Sequence, residues 1–177
     1  MCTHIYDISM KIIIKFTIAT EEGLAALLTL THAIAIEKFS KHLELSFVEK
    51  YIHENFSDSN LVEELNSMSN QWLIAYVDNI PAGFVQITSK GVRPSSLDRK
   101  RAIRIANFGI LKKYFNLGVE EALLEKSLSV CRPYEAVWIH EYIQNPFIGL
   151  FESKGFVKQS EINQLDELPL NAVYLIA

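Results

Sequence analysis

The chain has 177 residues, 49% of them hydrophobic and 21% charged, with seven Gly and five Pro. That length and mix describe one globular domain spanning 1–177 and exclude a disordered tail, a collagen-like repeat and a low-complexity linker. Lys plus Arg number 17 against 21 Asp plus Glu, a formal charge of −4, so the positive field of a non-specific nucleic-acid binder is missing and no nucleic-acid partner is expected. The longest apolar run is six residues, far below the roughly 20 that a spanning helix needs, so no membrane partner is expected. The opening MCTHIYDISMKIIIKF carries Asp7 where a secretory signal needs a continuous apolar core. Cys2 and Cys131 show no metal or redox spacing. Reduced thiols in a cytoplasmic protein are expected, with a disulfide between the two left open.

Residues 11–18 are β-branched and aromatic, which suits a first strand. Thr20 offers an N-cap, Glu21 and Glu22 a first turn, and Leu24, Leu27, Leu28, Thr31, Ile34 and Ala35 a helical stripe. Ser46 with Glu49 reads as a capping box for a second helix with Val48, Tyr51 and Ile52 on its apolar face. Another helix start falls at Asn60, leading to Leu61, Leu65 and Met68. Then the period changes. WLIAYV (72–77), a turn over 78–81 and AGFVQIT (82–88) read as an antiparallel hairpin. A polar Gly/Pro/Ser-rich loop follows over 89–101, and then a strand over 101–111. The segment 118–130 is a helix with Leu123, Leu124 and Leu128 buried, and 136–143 is a strand apolar on both faces. Asn145-Pro146 opens a short helix that Gly155 closes, and FVKQSEI and NAVYLIA supply two last strands. The compressed order is β-α-α-β-β-β-α-β-α-β-β. The strands at 101–111 and 136–143 are parallel across a βαβ crossover, in a mixed α/β sheet that is otherwise mostly antiparallel and flanked by helices.

The turn that enters the helix at Gly118 is the best candidate for chemistry, because a helix start presents unpaired N–H groups and a positive dipole end to a phosphate. One glycine at a helix start reads equally as a cap. IANFGILKKYFNLGVEEALLEKSL (105–128) resembles the acetyl-CoA loop of the GNAT acetyltransferases, with Gly118 as the central glycine of their Q/R-x-x-G-x-G/A pattern. VWIHEYIQN (137–145) resembles their following strand and its terminal Asn, and LFESKGF (150–156) their F-Y-x-x-x-G-F helix end. ELNSMSNQWLIAYVDNIPAGFVQI (64–87) is similar to the same stretch of PaiA-type bacterial spermine/spermidine acetyltransferases. The likeness spans roughly residues 30–160. It implies a GNAT-like fold and acetyl-CoA as the cofactor. It further implies cofactor contacts from Phe108, Ile110, Phe115, Asn116, Leu117, Gly118, Val119, Glu120, Glu121 and Asn145, with a small-molecule amine, a polyamine included, as partner substrate.

The departures from that pattern fall on the chemistry. Phe115 and Asn116 stand where the family has Gln or Arg and Gly, and Ala106 where a strand Glu is often linked to the acceptor. Phe151 occupies the place of the Tyr that serves as general acid, keeping the ring and losing the proton donor. Glu120 brings a carboxylate to the phosphate loop, a repulsion of up to about 4 kcal/mol at an effective dielectric near 20. Weak acetyl-CoA binding is therefore expected. Tyr142 and His140 are the stand-ins for acid or base, and equally ordinary strand residues. His140-Glu141 begins an H-E-x-x pattern on a strand with Gln144 beyond it, so no metal is expected. His32, His42 and His53 read as surface or satisfied histidines, and Arg99, Lys100, Arg101 and Arg104 as a solvated loop-to-strand edge. Glu37, Glu44, Glu49 and Glu54 either attract a cationic amine or form a solvated face. Two functions stand: an acetyl-CoA-dependent N-acetyltransferase, or a catalytically degenerate member kept as a binding or interaction module. Homodimerisation is open.

Overall fold

The computed structural model describes residues 9–177. Cys2, and the expectation for its thiol, lie outside the described residues. The elements run β1 (Ile12–Thr17), α1 (Glu21–Phe39), α2 (Leu45–Phe56), α3 (Asp58–Asn66), β2 (Asn70–Val77), β3 (Ile80–Thr88), β4 (Ala102–Ile110), α4 (Val119–Cys131), β5 (Ala136–Tyr142), α5 (Ile148–Ser153), β6 (Val157–Gln164) and β7 (Asn171–Ile176). They build a seven-stranded sheet in the order β1-β2-β3-β4-β5-β7-β6. Every neighbouring pair is antiparallel except β4 and β5, which are parallel as the crossover requires. The strand and helix order matches the expected one, with the segment after residue 57 forming a helix of its own.

Local chemistry sets most boundaries. Thr20 caps α1, its hydroxyl accepting from the Gly23 N–H at 3.1 Å. α2 begins one residue before Ser46, with Glu44 at the N-cap position and no side-chain cap bond, so the expected capping box does not form. Ser57, not Asn60, caps α3, and Met68 lies beyond that helix, fully exposed. The β2–β3 turn is tighter than expected. Asp78 and Asn79 both take positive φ, 49° and 68°, the pattern of a two-residue hairpin turn, and Ile80 and Pro81 already pair with β2.

The sheet separates two cores by simple alternation. Trp72, Ile74 and Phe84 pack with Leu27, Leu30 and Ile34 of α1 on one face. Leu73, Ala75 and Val85 pack with Val119, Leu123 and Leu124 of α4 on the other. Cys131 is buried at the end of α4, and burial pushes its thiol up to about 12. β5 is buried at all seven positions, as its apolar run predicts. Among the described residues no helix is long and apolar enough to cross a membrane.

Candidate functional site

The site starts where the sheet fails to close. β4 and β5 pair only at Ala102–Ala136, Ile103–Val137 and Arg104–Trp138, and beyond those three positions they part. β4 bends there, because Asn107 takes φ +53° and the β3–β4 register slips between Phe84 and Gln86. The Leu111 N–H donates to Ala82 O at 2.9 Å, on the β3 side. By strand alternation Ile110 and Phe108 turn their N–H groups the other way, toward the parted β5. A cavity of about 260 Å³ opens beside them. Phe108, Ile110 and Phe115 supply its apolar wall, and Tyr142 and Asn145 its β5 side. Edge-to-face contacts of Phe108 with Phe147 (5.3 Å) and Phe151 (5.4 Å), and of Phe115 with Phe147 (5.1 Å), fix that wall. Asn145 turns its Oδ1 back to the Phe147 N–H at 2.8 Å, which leaves its buried Nδ2 without a partner beside the cavity. Burial, with the Glu141 carboxylate beside it, raises the Tyr142 phenol above its ordinary range, so it keeps its proton at neutral pH.

Just beyond Phe115, which lines the cavity, the chain enters α4 through a short loop. Gly118 is the N-cap with φ +83°, a left-handed conformation that suits glycine, and a Cβ there would meet only Ile12 Cδ1 at 4.0 Å. Glu120 is buried and folds back on the loop, its Oε1 accepting from the Asn116 N–H at 2.7 Å. Its Oε2 is buried without a partner. The chain's own carboxylate therefore holds one of the amides that an anion would use.

A second, polar cavity adjoins the first. His140 faces it, stacked on Tyr174 at 4.4 Å and bonded through Nδ1 to Asp166 at 3.3 Å. Burial works to raise the Asp166 carboxyl, but the hydrogen bond from His140 and the Arg104 guanidinium outweigh it and hold the group at about 2. An ionised carboxylate only accepts, so Nδ1 carries the His140 proton. Between the two cavities Lys38 Nζ donates to Glu141 Oε1 at 2.8 Å, and Glu141 Oε2 is buried without a partner.

No protein-family model matches the chain, and no curated protein matches its sequence. Solved structures do match. The PaiA N-acetyltransferase of Thermoplasma acidophilum, solved in complex with coenzyme A, superposes with a TM-score of 0.74 at 14% identity, over 93% of this chain and 98% of that one. The chain has the GNAT fold. A GCN5-related N-acetyltransferase from Rhodopseudomonas palustris matches at 0.65 and 12% identity, covering 93% of each chain. The ribosomal-protein-S18-alanine N-acetyltransferase of Escherichia coli matches at 0.62 and 14%, over 93% of this chain and 92% of its own.

Within the GNAT fold, the sequence-derived residues divide into three groups. Phe108, Ile110, Phe115, Asn145 and Tyr142 meet around the large cavity. Asn116, Leu117, Gly118, Glu120 and Glu121 form the loop and first turn outside it, while Val119 is core and offers that turn only its backbone. His140 lies in the second cavity, apart from Tyr142. Phe151 is fully buried beneath Phe108. Arg104 is not a solvated residue, because its guanidinium sits over Trp138 at 5.0 Å and pairs with Asp166 at 2.9 Å. Of the four acidic residues on the first helices, Glu37 alone lines the cavity, where its carboxylate accepts from the Lys112 N–H at 2.7 Å, and the other three are exposed. His32 is satisfied by the Phe56 carbonyl at 2.8 Å, whereas His42 packs edge-on to Tyr142 at the cavity mouth. Sequence reasoning missed Lys38, Glu141 and Asp166. Glu141 carried a signal, as the one acidic residue in an otherwise apolar strand.

Proposed function

We propose that this protein transfers an acetyl group from acetyl-CoA to the amine of a small molecule, a polyamine included. The observation that supports it most is the parted β4–β5 opening, with the backbone donors of Phe108 and Ile110 and the spare Nδ2 of Asn145 around a cavity of about 260 Å³. An apolar slot edged by a few fixed donors suits a pantetheine arm. Acetyl-CoA, when bound, supplies a thioester carbonyl as the electrophile. Phe108 and Ile110 present N–H groups on a fixed strand, where donors stabilise developing negative charge without reorganising. Tyr142, holding its proton beside the same cavity, takes the acid role that Phe151 cannot fill.

The loop before α4 fits the cofactor less well. Gly118 leaves room for a diphosphate, but Glu120 already occupies the Asn116 amide and repels further negative charge. That observation favours, as the second reading, a GNAT-fold binding protein without turnover. Titration calorimetry with acetyl-CoA, followed by thiol release on a panel of polyamines, separates them. We expect binding weaker than micromolar together with amine-dependent release. Binding without release on any amine would select the second reading, and no binding at millimolar acetyl-CoA would overturn the first.

A further inference from the structure

Lys38 is the one side chain that lines the large cavity, the polar cavity and the small apolar cleft between α1, α2 and β4. Its ammonium is largely buried, with 15% of the side chain exposed, and Glu141, its 2.8 Å partner, is 5% exposed. The rings of Phe39 and Tyr142 lie 5.4 Å and 5.6 Å from Nζ. Among the described residues Glu141 Oε2 has no hydrogen-bond partner, so this pair is held from one side only. Such a half-satisfied buried pair is expensive to keep and is weak support for stability. It is, however, an amine on the wall of the large cavity with a proton acceptor already in contact behind it, on the polar-cavity side.

We propose that Lys38 is itself an acyl acceptor, acetylated by the protein's own donor site with Glu141 as the proton acceptor. This rests on the donor reading above. The Lys38 ammonium gives one proton to Glu141 Oε1, replacing two buried charges by two neutral groups. The freed amine attacks the thioester carbonyl carbon, a C–N bond forms and the C–S bond breaks. The second amine proton leaves with the sulfur as the free thiol. The products are acetyl-Lys38, a protonated Glu141 and CoA, so atoms and charge balance. Acetylation removes the one cation that, among the described residues, faces Glu141 within hydrogen-bond distance, and it changes the wall shared by the cavities.

The test uses the full chain, acetyl-CoA and peptide mass spectrometry over time, with calorimetry run in parallel. Lys50, with 71% of its side chain exposed, reports ordinary chemical acetylation. Lys38 is expected to label ahead of Lys50 in the folded chain and to lose that lead in urea. Glu141→Gln should slow Lys38 labelling by about 10²-fold, the lower end for a general base, while leaving Lys50 labelling and acetyl-CoA affinity unchanged. Lys38→Arg should retain the ion pair and abolish the fast-labelled peptide. If acetyl-CoA binds and Lys50 labels first, self-acetylation is wrong and the donor reading stands. If acetyl-CoA does not bind, both are wrong.

Discussion

The cavity beside β4 and the loop before α4 are neighbours along the chain, joined through Phe115, yet they are built in opposite ways. The cavity is made by absence: two strands part after three paired positions, and the Asn145 Nδ2 has no partner among the described residues. The loop enters its helix through a left-handed Gly118, and Glu120 turns a carboxylate back onto the Asn116 N–H there. A backbone opening survives sequence change, because strand geometry makes it. An anion cradle made of a few amides is undone by one side chain. The fold thus guarantees a slot and leaves the phosphate contact to be decided residue by residue.

The largest expected effect comes from breaking the slot. Phe108→Ala removes a fully buried ring that two other phenyl rings pack against. It should cost about 3–5 kcal/mol of unfolding free energy, read as a drop in the urea midpoint with the slope unchanged. A loss under 1 kcal/mol would mean that the wall is not load-carrying. Glu120→Gly empties the loop instead. It should tighten acetyl-CoA by about 1–3 kcal/mol in calorimetry, below the upper bound because the variant also loses the bond to the Asn116 N–H and gains a freer glycine backbone. Glu120→Gln keeps an oxygen for the Asn116 amide and loses the charge, so it should recover an intermediate share. Equal affinity in all three chains would remove Glu120 from the account.

Gly118→Ala sharpens the comparison further, because space is not limiting there. The left-handed φ alone should cost roughly 1–2 kcal/mol, measurable by thermal unfolding. A neutral result would show that the loop is not held in this conformation. The smallest effect concerns Asp166. Its folded carboxyl sits at about 2, below the ordinary 3.8. The stabilisation is therefore present above pH 4 and is lost as pH falls through 2. With 53% of the side chain exposed, it is worth roughly 0.5–1 kcal/mol or less. Asp166→Asn should be less stable than the parent at pH 7, and the gap should close near pH 2. A gap that stays constant with pH would assign it to packing.

Most of the fold was legible because its signals are local. The stripe of α1, the Thr20 cap, the apolar run of β5 and the βαβ crossover each state their structure in a few adjacent residues. Other features depend on distant neighbours. Ser46 carries the composition of a cap without its geometry, since α2 starts before it. That Arg104 is covered by Trp138 and held by Asp166, a residue 62 positions away, cannot be read along the chain. The same holds for Lys38 and Glu141, which are 103 positions apart. Glu120 was legible as a misplaced charge, and its bond back to Asn116 follows once the loop is closed.

The short seam between β4 and β5 also has a mechanical meaning. Among the described residues, three paired positions are the whole strand ladder between the four-stranded plate β1–β4 and the three-stranded plate β5-β7-β6, and side-chain packing supplies the rest of the joint. With so short a ladder, the backbone hydrogen bonds along this line are the ones expected to open first, ahead of global unfolding. Amide hydrogens of β2 and β3, in the middle of the wider plate, should exchange at the rate of global unfolding. Those of β5 and β7 should exchange sooner and together, as one cooperative unit. A ligand lodged between the plates would act as a splint across the seam, and slowed exchange in β5 and β7 would register its binding even where no product is formed.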